Sequence, residues 1–310
     1  MTDTGGRDGA AHWAEMTELG SALGLGFLYF IYRWSGRWLF RLFLLPVVGY
    51  FLVFAGTQRR ASKEYLRRAG VSGPLWLALP RHFWAFAEAV LDKLVAWKGG
   101  IRLEDVTFEG RGPVQDLLAH GRGLLLIGSH LGNLEVGRVI ARLRPGLVVH
   151  VLVHTRHAGN FNRLLHRLDP SAGVNLVQVS EFGAGQAAWL AERIGRGEVV
   201  LIAGDRRPLG KGRILNVEFL GAQAPFPQGP FAMAAALACP VYLMFCLKQK
   251  HGFRIVYEPF AEEILAGRGA RGAALQNAAQ RYALRLQHQC LQTPFQWFNF
   301  YPFWSQEGRS

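Results

Sequence analysis

From Ile101 onward, short apolar runs take turns with segments of helical period, and this alternation constrains the fold more than any other feature of the chain. The runs predict strands at Val106 to Glu109, Leu124 to Gly128, Leu147 to Val153, Val174 to Val179, Val199 to Ala203, Ile214 to Phe219, Val241 to Leu247 and Phe253 to Tyr257. Between them, the 3.6-residue period predicts helices at Val114 to His120, Leu134 to Leu143, Phe161 to Leu168, Gly185 to Ile194, Phe231 to Ala238 and Ala274 to Leu291. Strand and helix in alternation read as an α/β fold, a mixed central sheet flanked by helices, in which ligands gather at the carboxyl ends of strands. No internal repeat or long linker interrupts the pattern.

The first hundred residues differ. Leu19 to Gly56 is strongly apolar and is interrupted by Arg33, Arg37 and Arg41, which a helix would gather into one basic stripe. Trp38 to Gly56 matches one bilayer crossing in length, yet it carries Arg41 and Pro46, so an interfacial or re-entrant helix pair fits as well as a span. Arg59, Arg60, Lys63, Arg67 and Arg68 follow, a cluster that favours the cytoplasmic leaflet. Leu75 to Trp97 shows a further helical face of Leu79, Phe83, Phe86, Val90 and Leu94, with Pro80 expected to limit its first turn. Buried helices of a soluble bundle are the competing reading. The organisation expected is a flexible N-terminus over 1–18, a membrane-associated helical segment over 19–98 and an α/β domain over 99–310. No signal peptide is expected, because no basic start leads directly into a short apolar stretch with a small-residue cleavage site.

Half of the 310 residues are hydrophobic and mean hydropathy is +0.10, which suits a membrane-associated enzyme better than a transporter. The formal net charge of +13 predicts attraction to polyanions, whether nucleic acid, anionic lipid or an acidic protein. Cys239, Cys246 and Cys290 have no framework spacing and read as reduced thiols of a cytoplasmic protein.

Chemistry concentrates in "IGSHLGNLEVG", Ile127 to Gly137. On one helix His130 and Glu135 would point roughly 140° apart at about 100° per residue. They meet only if His130 lies in the turn leaving a strand and Glu135 in the first turn of the next helix. There a neutral imidazole can take a hydroxyl proton while a carboxylate on its other nitrogen sets the tautomer, a part that the spacing gives to Glu135. Asn133 is placed to cap the helix that follows. No Ser or Cys nearby has the setting of a nucleophile elbow, so direct attack by a substrate hydroxyl is the economical route.

"SHLGNLE" resembles the His-x4-Asp/Glu block of the lysophospholipid acyltransferase superfamily, and its Gly-Asn-hydrophobic-Glu form is similar to the bacterial lipid A late acyltransferases. Further segments resemble that family in order: "VLVHTRHAGNFNRLLHRL" from Val151, "GEVVLIAGDRRP" from Gly197, "VEFLGAQAPFPQGPFAMAAALACPVY" from Val217 and "PFQWFNFYPFW" from Pro294. Thr155, Arg156 and His157 stand where the family has an aromatic-Arg-Pro, and Leu220 stands where a Phe precedes Gly221. The resemblance implies a glycerolipid acyltransferase-like fold and transfer of an acyl chain from acyl carrier protein to a hydroxyl of a lipid A precursor at the cytoplasmic face of the inner membrane. It implies His130 as base, Glu135 as its orienter, and Asp205 as a support for the acceptor or for site geometry. Arg156, Arg163 and Arg167 are candidates for holding phosphate of an anionic lipid acceptor, and Asn133, Asp205 and Arg206 are further candidates for binding the substrate. No metal or organic cofactor is implied.

Other readings compete with this one. His150, His154 and His157 share a strand face and its end, but nothing supplies the further ligand that zinc would require. The C-terminal aromatics are poor in Lys and Arg, which favours core packing or an acyl-chain wall over nucleic-acid stacking. A different acceptor, such as an aryl polyene or amino-acid lipid, and a non-catalytic lipid-binding scaffold are the remaining alternatives.

Overall fold

The computed structural model describes residues 34, 36, 38–97, 100–137, 146–153, 174–178, 183–206, 212–264 and 270–304. The chain divides into two compact units, Met1–Phe54 and Ala55–Ser310. In the first unit helix α1 (Trp38–Phe54) exposes Trp38, Leu42, Leu45, Tyr50, Val53 and Phe54. Among the described residues no single helix is long and apolar enough to cross a membrane; α1 and α2 (Gly56–Arg68) reach that length and composition only as a pair.

The second unit opens with α2 and α3 (Leu75–Trp97). Helix α3 runs through Pro80 rather than stopping there. Pro80 sits near the helix start, where its missing N–H frees only the carbonyl of Trp76, a residue that solvent reaches. Then follow β1 (Val106–Glu109), α4 (Arg111–Ala119), β2 (Leu124–Gly128), β3 (Val149–Val153), β4 (Val174–Gln178), α5 (Ala184–Gly195), β5 (Val199–Ala203), β6 (Ile214–Phe219), β7 (Ala222–Pro227), α6 (Gly229–Leu237), β8 (Val241–Lys248), β9 (Phe253–Ala261) and α7 (Arg271–Gln292).

Seven strands form one sheet in the order β1-β9-β8-β2-β5-β3-β4. Every pairing is parallel except the β8·β9 hairpin, so the sheet is mixed and mostly parallel. Strands β2 and β5 are almost wholly buried, as their uninterrupted apolar runs require of a sheet covered on both faces. One core cluster joins these strands to Tyr65 and Leu66 of α2, Ala78 of α3, Phe231 and Ala234 of α6, and Tyr282 and Leu286 of α7.

The chain also forms a two-stranded sheet, β6·β7, of which the sequence pattern announces only β6. Pro225 and Pro227 would argue against a central strand, but an isolated hairpin has edges that tolerate them. Its turn is Leu220-Gly221, with φ of 49° and 75°, the left-handed pair of a two-residue hairpin. Leucine is strained there, and the Gln287 side chain accepts the Leu220 N–H at 2.7 Å.

Candidate active site

Two adjacent parallel strands build the site. Strands β2 and β5 pair in register up to Gly128 opposite Ala203, and the Gly204 N–H donates to the Gly128 carbonyl at 2.9 Å. Two residues beyond each strand end stand His130 and Asp205, so equal offsets from a shared register bring them side by side. Gly204 permits this approach, since a Cβ there would lie 2.8 Å from both Ile127 and the Tyr282 ring.

Asp205 is buried and accepts three hydrogen bonds. Its Oδ1 takes the His130 Nδ1–H at 2.7 Å, and its Oδ2 takes the His130 backbone N–H at 2.8 Å and the Trp297 Nε1–H at 2.9 Å. The carboxylate thereby sets the tautomer: the proton sits on Nδ1 and Nε2 keeps its lone pair. The His130 side chain is 29% exposed, so that nitrogen is not sealed in the core. Burial, with the positive charges of Arg206 and Lys93, pushes the imidazole below its usual range against the pull of Asp205. Burial would raise the Asp205 carboxyl, but the His130 charge and the hydrogen bonds from His130 and Trp297 outweigh it and hold the group low. The resting pair is therefore a neutral imidazole on a carboxylate, which is the state of a general base.

The expectation that Glu135 holds the far ring nitrogen is corrected here. Asp205 occupies Nδ1, while the Glu135 carboxylate lies 3.4 Å from Lys93 Nζ. The reason is topological: a carboxylate on the neighbouring strand end lies directly across the ladder, whereas the chain between His130 and Glu135 turns away. At Gly132 φ is +73° and a Cβ would stand 1.9 Å from the Cys246 carbonyl oxygen, so only glycine makes this turn. Residues 134–137 then form a 3-10 turn. Asn133 does cap it, its Oδ1 accepting the Glu135 N–H at 3.3 Å, while its Nδ2 donates to the Ala89 carbonyl of α3 at 3.0 Å.

Helix α3 walls the site through further polar contacts. Lys248 at the end of β8 pairs with buried Asp92 and lies 3.7 Å from Glu88. His82 donates from Nε2 to the Trp297 carbonyl at 3.0 Å and accepts at Nδ1 from the Ser62 hydroxyl at 2.7 Å. The C-terminal aromatics, expected as core or an acyl wall, include the fully buried Trp297, yet its indole also reaches the site carboxylate. The residues after Gln296 strap the turn, with the Gly132 N–H on the Gln296 carbonyl at 2.8 Å and Leu131 bridged to Trp297.

Arg206 follows Asp205, is exposed, and acts on His130 through its charge. Arg156, Arg163 and Arg167, with His154 and His157, lie outside the described residues. His150 pairs with Glu198. All three cysteines are free and buried, and burial raises each thiol.

An α/β fold whose parallel strand ends present a carboxylate-held histidine defines a protein equipped for proton abstraction from a hydroxyl or similar group. The particular class comes from comparison: the family model for bacterial lipid A biosynthesis acyltransferases matches residues 87–306. The chain belongs to that family and is an acyltransferase of the lipid A type, with an acyl donor and a lipid acceptor. No curated protein matches it.

Proposed function

We propose that the protein moves a fatty acyl chain from the thioester of acyl carrier protein to a hydroxyl of a lipid A precursor, working at the cytoplasmic face of the inner membrane with His130 as general base. The observation that carries this reading is the commitment of Nδ1 to Asp205, which leaves Nε2 as the acceptor on the partly exposed side of the ring. As the acceptor oxygen attacks the thioester carbonyl, Nε2 takes its proton. The tetrahedral intermediate then expels the carrier thiolate, which recovers that proton from the imidazolium. Asp205 steadies the imidazolium in between. Exposed Arg206 suits an acceptor phosphate.

The +13 charge supports an acidic carrier protein as donor, since opposite surface charge steers encounter. The exposed Trp38, Leu42, Tyr50 and Phe54 of α1, and Trp76 and Leu77 at the start of α3, support contact with a membrane surface. Lipid mass spectrometry of a deletion strain, complemented with the native chain or with His130→Ala, tests the proposal. The native chain alone should restore a species heavier by one acyl group on a lipid A precursor. Restoration by His130→Ala would remove the base, and an acyl group appearing on another lipid would replace the acceptor.

A further inference from the structure

Among the described residues, Asp205 is served by one donor from outside the two strand-end turns. That donor is Trp297, ninety-two positions downstream, and it is held from every side. Its ring lies with centroids 4.9 Å from Tyr65, 5.2 Å from Phe219 and 5.1 Å from Phe303. Its main chain is bridged to Leu131, and its carbonyl accepts from His82, which Ser62 holds in turn. A polar path thus runs from α2 through α3 and the C-terminal strap to the site: Ser62, His82, Trp297, Asp205, His130. A carbonyl only accepts, so the proton of His82 is on Nε2 and its Nδ1 is the acceptor for Ser62. Every group on the path has a defined role as donor or acceptor, which a purely apolar packing tryptophan would not need.

We infer that Trp297 is a positioning residue of the acyltransferase site, its indole N–H holding the Asp205 carboxylate against His130 while His82 anchors Trp297 through its carbonyl. The kinetic part of this inference rests on His130 being the base; the structural part does not. Among the described residues, the charges acting on His130 are those of Asp205, Arg206 and Lys93, and Trp297 is neutral. Its indole therefore acts on the imidazole only by way of the carboxylate. With that donor removed, the carboxylate is less stabilised, becomes more basic and draws the imidazole proton more strongly.

The test compares Trp297→Phe with Trp304→Phe in the full-length protein. Trp304 belongs to the same aromatic cluster, 5.9 Å from Trp297, and donates its own indole N–H at 3.1 Å, but to the Phe219 carbonyl. Nitrogen-15 imidazole NMR reads the His130 titration directly, and kcat is measured on the folded fraction. Trp297→Phe should raise the His130 pKa by about half a unit and lower kcat about tenfold, as loss of a hydrogen bond to a charged group does. Trp304→Phe should lower Tm and leave both readings at the native values. An unmoved His130 titration in Trp297→Phe, or an equal shift in Trp304→Phe, overturns the inference. If His130→Ala keeps its activity, the base reading falls, while the NMR comparison still decides the role of Trp297. Should Trp297→Phe not fold, His82→Phe keeps a ring against Phe300 and releases the Trp297 carbonyl. It should shift His130 the same way by less, and no shift there overturns the inference as well.

Discussion

Strand β5 carries an acid at each end, and each acid meets a histidine. Glu198, just before the strand, pairs with His150 of β3; Asp205, just after it, pairs with His130. The chemistry of the two pairs is the same, and their surroundings are opposite. His150 is 3% exposed, its ring packs edge-on to Trp189 at 5.1 Å, and its remaining nitrogen, Nδ1, is buried without a hydrogen-bond partner among the described residues. His130 keeps its remaining nitrogen on a side chain that solvent partly reaches, at the carboxyl ends of the parallel strands. A histidine on a carboxylate becomes a base only where its second nitrogen is available to a substrate. At the amino end of β5 the same pair is structural.

The largest effect expected breaks or keeps this comparison directly. His130→Gln should lower kcat by about 10³-fold or more with Tm little changed, because a positioned general base contributes on that order. His150→Gln should do the reverse, keeping kcat per folded molecule while Tm moves. Steady-state acyl transfer and thermal melts on both variants decide it. Activity lost at His150 with the fold intact would make the two ends of β5 equivalent.

Asp205→Asn sharpens the same contrast. An amide in place of the carboxylate no longer imposes the Nδ1–H tautomer, and a loss of about 10²- to 10³-fold in kcat should follow without loss of fold. Glu198→Gln should leave kcat unchanged. Glu135→Gln is the informative third member: if Asp205 holds the ring, only Asp205→Asn lowers the His130 titration strongly, whatever Glu135→Gln does to the rate. A larger fall with Glu135→Gln would return the orienting role to Glu135.

That role was legible in the chain, although not where spacing alone looks for it. "LLLIGSH" and "VVLIAGD" have the same form: four large apolar residues, two small residues, then His130 or Asp205. Two runs of that form on neighbouring parallel strands must place their seventh residues side by side. Glu135 is nearer in sequence, and nearness along the chain competes with nearness across a ladder that no single run reveals. The sheet itself was largely readable, since each of its seven strands falls on an expected run, although β1 and β4 are only half apolar. The β6·β7 hairpin was only half visible because Pro225 and Pro227 mimic a loop. Nothing local marks the contact between His82 and Trp297, which are 215 positions apart and meet through a main-chain carbonyl. The N-terminal basic stripe and the Arg156, Arg163 and Arg167 set remain proposals of the sequence.

His82 supplies a third histidine for the comparison and the next effect in size. It is fully buried between Ser62, Trp297 and Phe300, and burial pushes its imidazole down to about 4, the Trp297 carbonyl opposing only in part. In the unfolded chain the same group titrates near 6.5. Above that pH both states are neutral and the group contributes no pH dependence. As pH falls the unfolded state takes up its proton first, so stability declines from about pH 6.5 and is lower by about 3 kcal/mol near pH 4. Chemical denaturation between pH 7 and 4 should show this slope, and His82→Phe should flatten it while lowering stability at neutral pH, since it leaves Ser62 and a carbonyl unpaired.

The smallest effect lies at Arg206, and it separates two uses of one charge. Arg206 and Lys93 help burial to keep His130 below its usual range, so the acid limb of kcat/KM should rise with an apparent pKa under 6.5 as His130 loses its proton. Arg206→Gln removes a repelling charge, which moves that limb to higher pH. Because the guanidinium is exposed and screened, the move should be only a few tenths of a unit, and high salt should reproduce it in the native protein. If Arg206 also holds an acceptor phosphate, KM for a phosphorylated acceptor rises in the variant while KM for the acyl donor does not. A raised KM with an unmoved limb would assign Arg206 to the substrate alone; a moved limb with unchanged KM would assign it to tuning the base, leaving phosphate to other arginines.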